Sequence, residues 1–161
     1  MAREVAADHP GGVKVNRQSQ CGLGLSAADA AAFCGPNAAM ELASFDGHNI
    51  PLEAVKTAAQ ANGWSPSLGM AGPGSEVNLL NRLGLNATME AWNPQRAQQL
   101  LAQGTPIILD TPGHYFLADA FDPARGYRVS ADKDLRRGSE WMTPEAMAAL
   151  MGNIRNLIYH K

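Results

Sequence analysis

Proline and glycine punctuate this chain so regularly that its helices can be placed before any side-chain chemistry is considered. Three segments share one grammar: residues 36–45 (PNAAMELASF), 51–62 (PLEAVKTAAQAN, closed by Gly63) and 94–103 (PQRAQQLLAQ, capped by Asn93 and closed by Gly104). Proline is at home in the first helical turn, where its missing N–H would have no acceptor, and glycine or asparagine follows the last turn. A fourth helix is predicted over 75–83 (SEVNLLNRL), ending at Gly84. Residues 63–74 (GWSPSLGMAGPG) hold four glycines and two prolines, which predicts a surface loop. The alanine-rich SAADAAAF at 26–33 predicts a short helical turn.

After residue 104 the hydrophobic period changes. The runs 105–111 (TPIILDT), 114–121 (HYFLADAF) and 126–132 (GYRVSAD) are short and apolar or alternating, and PG and DPAR turn signals separate them. They predict consecutive antiparallel strands. A capped helix is expected at 143–151 and an edge strand at 155–160. Helices followed by an antiparallel sheet give an α+β fold. Residues 1–25 carry five Gly and Pro residues with little periodicity, so they read as a flexible arm or linker, with one compact domain over 26–161.

Composition narrows the function classes. A net charge of −2, with basic residues scattered except for DLRRG at 134–138, provides no electrostatic footprint for nucleic acid. No run approaches the ~20 apolar residues of a membrane span. The first dozen residues lack the pattern of a secretory signal, which leaves a cytoplasmic or virion-associated location open. Four histidines and two cysteines lack the paired short spacings of a metal site, so no metal and no cofactor are expected. Cys21 and Cys34 could close a disulfide loop, but spacing alone does not establish it.

The stretch FCGPNAAMEL at 33–42 poses the central question. Cys34 is expected just outside a helix, with Gly35 at the cap and Pro36 in the first turn. Backbone N–H groups and the helix dipole favour a thiolate there; a small buried hydrophobe is the other reading. His114, opening a strand after a tight turn, has the rigid backbone a base needs, or is simply a histidine at a turn. His48 reads as a loop residue, and His9 and His160 lie near the ends. If residues 122–126 form the next loop, Phe121 pairs with Tyr127, and an unbroken ladder carries Phe116 opposite Asp132 and His114 opposite Asp134. Asp132 would then flank His114, or be a solvated strand end; a one-residue slip turns it away. Trp64, Trp92 and Trp141 border loops and are expected to cover the core edge. Met70 is expected in a flexible lid, and Met89, Met147 and Met151 in the core.

CGPNAAM, followed some eighty positions later by GTPIILDTPGHYFLADAFDPARGYRVSAD, resembles the papain-like cysteine peptidases, and among them the bacteriocin-processing, double-glycine peptidases. The resemblance spans about residues 26–134. It implies a papain-like fold, with Cys34 as nucleophile, His114 as general base and Asp132 orienting the imidazole. It also implies a peptide, protein or peptidoglycan-type amide as substrate. The overall layout is more distantly similar to peptidase-like domains of phage tail and other multidomain proteins. Such enzymes carry a glutamine six residues before the cysteine as oxyanion donor; here that position is Ala28, so Gln20, or Gln18, would have to swing in from the arm. Asp132 is followed by Lys133, where the family favours proline. Two readings follow: a cysteine peptidase or amidase, and a non-catalytic binding or structural module in a larger assembly. The Gly11–Gly12 pair also raises self-processing of the arm.

Overall fold

The computed structural model describes residues 24–45, 47–111, 114–130, 139–152 and 155–160. The elements are α1 (Ala27–Ala31), α2 (Cys34–Phe45), α3 (Leu52–Ala61), α4 (Pro73–Arg82), β1 (Ala87–Ala91), α5 (Pro94–Ala102), β2 (Ile107–Thr111), β3 (His114–Asp122), β4 (Gly126–Ser130), β5 (Ser139–Met142), α6 (Pro144–Met151) and β6 (Asn156–His160). The predicted α+β organisation is present. Ser26, Asn93 and Thr143 cap α1, α5 and α6 by accepting the N–H of the third residue on. The glycines expected to close α3, α4 and α5 all take positive φ.

The sheet is antiparallel, in the order β1-β6-β2-β3-β4-β5. Both of its faces are covered, which explains the near-continuous apolar runs. Ile108, Leu117 and Ile158 point into a core shared with Phe33, Leu42, Val55, Leu79 and Leu80 from the N-terminal helices. Their strand neighbours Ile107, Leu109, Phe116 and Leu157 point the other way, against Leu100 and Leu101 of α5 and Met147 of α6.

Several expectations are corrected. β6 is no edge strand: it lies between β1 and β2, and its Leu157, Ile158 and Tyr159 are buried. β1 and β5, which form the actual edges, lie outside the predicted strands. Met70 belongs to the core, whereas Met89, on edge strand β1, is 43% exposed. The tryptophans do cover the core edge. Trp64 is buried edge-on to Phe33 and donates its indole N–H to the Ala32 carbonyl at 2.8 Å. Trp92 packs on Tyr127, and Trp141 lies under the Arg125 guanidinium.

The β3–β4 hairpin begins as predicted, with Phe121 opposite Tyr127, and tightens further by pairing Asp122 with Gly126. The ladder is not unbroken, however. A bulge between Ala118 and Ala120 sets Val129 opposite Ala118, where uninterrupted pairing would give Asp119. The counting that placed Asp132 opposite Phe116 therefore fails by one residue within β3. Asp132 itself lies outside the described residues. The extra residue, Asp119, is fully buried and holds Arg128 of β4 through two contacts of 3.0 and 3.3 Å. Two residues along, Ser130 donates its hydroxyl to Glu41 of α2 at 3.1 Å. A buried polar seam thus joins α2 to β4 and β3.

The hairpin closes on Gly126, at φ +95°, so close to β5 that a Cβ built there would lie 2.1 Å from the Met142 carbonyl oxygen. Both the backbone angle and the contact exclude a side chain. Gly126→Ala is expected to cost about 3 kcal/mol and to lower Tm by roughly 10 °C in a thermal melt. An unchanged Tm would mean that this hairpin does not pack on β5.

Glu76 of α4 is fully buried, and neither carboxylate oxygen has a hydrogen-bond partner among the described residues. Burial, reinforced by the charge of Asp110, holds its carboxyl well above the ordinary carboxylate range. The unfolded chain releases this proton at its usual pH while the folded protein retains it. Stability is therefore fully present below the unfolded pKa and declines as pH rises toward the folded one, by at most about 1.4 kcal/mol per pH unit for one proton. Glu76→Gln, which cannot ionise, is expected to flatten the decline of Tm between about pH 5 and pH 8. An unaltered slope would show that Glu76 is not the group responsible.

Candidate active site

Cys34 is the first residue of α2, two positions further into the helix than expected. The first α-type hydrogen bond runs from the Asn37 N–H to the Phe33 carbonyl at 2.8 Å, so Phe33 takes the cap position and Gly35 and Pro36 are already helical. First-turn N–H groups have no intrahelical acceptor and point toward whatever lies beyond the helix end. Cys34 therefore keeps the dipolar setting inferred from the sequence, now as part of the helix.

Gly35 explains how the turn can sit so deep. A Cβ there would lie 2.6 Å from Met70 Cγ and 2.9 Å from Glu76 Oε1. Only a residue without a side chain lets α2 press against α4 and the segment before it. Eight of the twelve residues of α2, Gly35 among them, are buried.

Above this turn opens a cleft of about 510 Å³. Cys34 and His114 both line it, together with Asp110, Thr111 and Tyr115 of the sheet. Its opposite wall is residues 66–73, the stretch read from sequence as a surface loop, with buried Met70 anchoring it and Leu68, 77% exposed, at its rim. Residues eighty positions apart in the chain thus share one half-open cavity.

His114 is placed by backbone pairing and by stacking. It is the first residue of β3, opposite Thr111, whose hydroxyl donates to the His114 carbonyl at 2.7 Å. Its ring stacks on Phe116, with centroids 5.8 Å apart. His114 and Phe116 extend from the same face of β3, whereas Tyr115 extends from the other, toward the core beneath α2.

Asp110 and Tyr115 line the cleft, and Glu76, fully buried, lies close enough for charge to act between it and both of them. Asp110 is 8% exposed; burial raises its carboxyl pKa, opposed by a hydrogen bond from the Asn156 side chain and by the charge of Arg155. The Tyr115 phenol is pushed strongly upward by burial, then by the charges of Glu76, Asp110 and Cys34. It stays protonated across the physiological range.

Among the predicted residues, Cys34 and His114 both line the cleft. Ala28, where the family has its glutamine, is exposed on α1 and offers no donor. Gln18, Gln20, Cys21 and Asp132 lie outside the described residues, as do Gly11 and Gly12. Asp110, Tyr115 and Glu76 were not anticipated. Asp110 is the one charge in IILDT, whereas Glu76 in the first turn of α4 and Tyr115 within β3 carry no local signal that sets them apart.

No protein-family model matches the sequence, and no curated protein is similar to it in sequence. Solved structures do match. A double glycine motif protease from an AMS/PCAT transporter, solved in complex with the leader peptide, superposes with a TM-score of 0.61 at 18% identity, over 80% of this chain and 84% of that one. The peptidase domain of Streptococcus ComA, a bifunctional ABC transporter of a quorum-sensing pathway, matches with a TM-score of 0.58 at 14% identity, over 81% of this chain and 93% of that one. Neither is a phage tail protein, so the phage-tail setting gains no support. The chain has the papain-like cysteine peptidase fold, in the form seen in double-glycine peptidase domains of ABC transporters.

Proposed function

We propose that this protein is a cysteine peptidase that hydrolyses peptide amide bonds, with Cys34 as nucleophile and His114 as general base. The observation that carries the reading is the shared cleft: a helix-N-terminal thiol and an imidazole from opposite halves of the chain line one open cavity.

In the proposed reaction the imidazole takes the thiol proton and the thiolate attacks the substrate carbonyl carbon. The carbonyl oxygen becomes an oxyanion, which the Cys34 N–H and a second donor receive. The imidazolium returns the proton to the leaving amine as the C–N bond breaks, leaving a thioester. Water, deprotonated by the imidazole, then hydrolyses the thioester and restores the thiol. Asp132 remains the proposed orienting residue for the imidazole.

Because the similar transporter protease was solved with a leader peptide, a segment ending in Gly-Gly is the substrate class proposed first for this chain. Glycines at the scissile bond need little width, and the backbone of Gly69 and Gly72 along the wall leaves an extended peptide room to lie across Cys34.

The test is chemical labelling read by mass spectrometry. Iodoacetamide is expected to modify Cys34 at least about tenfold faster than Cys21, because the thiolate is the reactive form. His114→Ala should abolish that preference, and a Gly-Gly-containing peptide should be cleaved by the native protein but not by Cys34→Ala. Equal, slow labelling of both thiols would remove the hydrolase reading.

A further inference from the structure

We propose that the Tyr115 hydroxyl is the side-chain donor to the oxyanion, in the place left vacant by the absence of a glutamine at position 28. The inference rests on the cysteine peptidase reading and adds a catalytic residue to it.

A tetrahedral intermediate at Cys34 develops negative charge on one oxygen, and a single backbone N–H is an incomplete cradle for it. Ala28 supplies nothing, so the second donor has to come from another wall of the cleft. Of the residues lining it, those with a side-chain O–H or N–H are Ser67, Thr111, His114, Tyr115 and Arg155. The Thr111 hydroxyl is committed to the His114 carbonyl at 2.7 Å. Ser67 shares a hydrogen bond with Ser65 at the exposed rim. Arg155 acts on the Asp110 carboxyl, and His114 is taken as the base. Tyr115 is left.

Three further observations favour it. Tyr115 extends from the face of β3 that packs against α2, lines the cleft together with Cys34, and lies near enough for the Cys34 charge to act on its phenol. Its neighbour His114 extends from the opposite face, so base and donor leave one strand end on two sides while both line the cleft that holds Cys34. That division suits a reaction in which proton transfer and oxyanion stabilisation occur at different atoms. Second, the phenol is anchored: the residue is 7% exposed and is held in the core that contains Phe33 and Leu117. A donor that does not reorganise during the reaction is the effective kind. Third, the surroundings keep its proton on. Burial above all disfavours a phenolate, with the charge of Asp110 adding to it, and the Glu76 oxygens accept no hydrogen bond among the described residues and so do not compete for the hydroxyl.

A peptide aldehyde ending in Gly-glycinal tests the idea, because addition of the Cys34 thiol to its carbonyl forms a hemithioacetal whose oxygen occupies the oxyanion position. Tyr115→Phe is expected to weaken aldehyde binding by about 10- to 100-fold, as the loss of one oxyanion donor would. The same variant should leave the iodoacetamide rate of Cys34 within about twofold, since alkylation develops no oxyanion. It should also leave unchanged the affinity for the corresponding peptide alcohol, which cannot form the adduct. Gln20→Ala should leave aldehyde binding unchanged.

The proposal is overturned if Tyr115→Phe binds the aldehyde as tightly as the native protein. It is equally overturned if the variant loses aldehyde and alcohol affinity in parallel, which would make Tyr115 a packing residue, or if the loss appears in Gln20→Ala instead. Failure of Cys34 to label selectively in the native protein would be a different result and would remove the peptidase reading itself.

Discussion

The burial of α2 is the constraint on which the rest of the molecule depends. A helix with eight of twelve residues buried needs small side chains where it approaches other elements, and Gly35, Ala38, Ala39 and Ala43 meet that need. Apolar contact drives the helix inward, and the absence of a Cβ at residue 35 sets how far its first turn can sink. Because the cleft opens directly over that turn, the same packing that stabilises the fold also fixes the position of Cys34.

A helix sunk this deeply cannot leave its polar residues unpaired. Glu41, fully buried, accepts from Ser130, and the adjoining Asp119–Arg128 pair is buried to within 1%. Burying such charges is roughly neutral for stability once desolvation is counted, but separating them is costly, so the seam selects one seating of helix on sheet over its neighbours. The β3 bulge belongs to this arrangement: the inserted residue is the carboxylate that Arg128 requires. Register, bulge and helix position form one linked set.

Much of this was legible in the chain. Prolines and glycines located α2 to α5 within a residue or two, and apolar alternation located β2, β3 and β4, because capping and periodicity are local properties. The Phe121–Tyr127 pairing followed from loop length alone. The sulfhydryl and the imidazole were identifiable as candidates from their neighbours: a helix start for one, a turn and a strand for the other. By contrast, ATMEA at 87–91 and SEWM at 139–142 are too short and too polar to announce strands. They pair because β6 and β4 offer them an edge.

What the sequence by itself determined was therefore the inventory of elements, the α+β class and the chemical types available at residues 34 and 114. Only the tertiary structure decided which of these meet. It moved β6 from edge to interior, turned Met70 from lid to core and Met89 from core to surface, and inserted a bulge where counting assumed none. It also enclosed Glu76, which no local signal sets apart, against Gly35. The physical reason is one of range. Helix caps, turns and strand alternation are set by residues a few positions apart. Burial, register and the charge around a group depend on surfaces contributed from the whole chain, which exist only once those elements have packed.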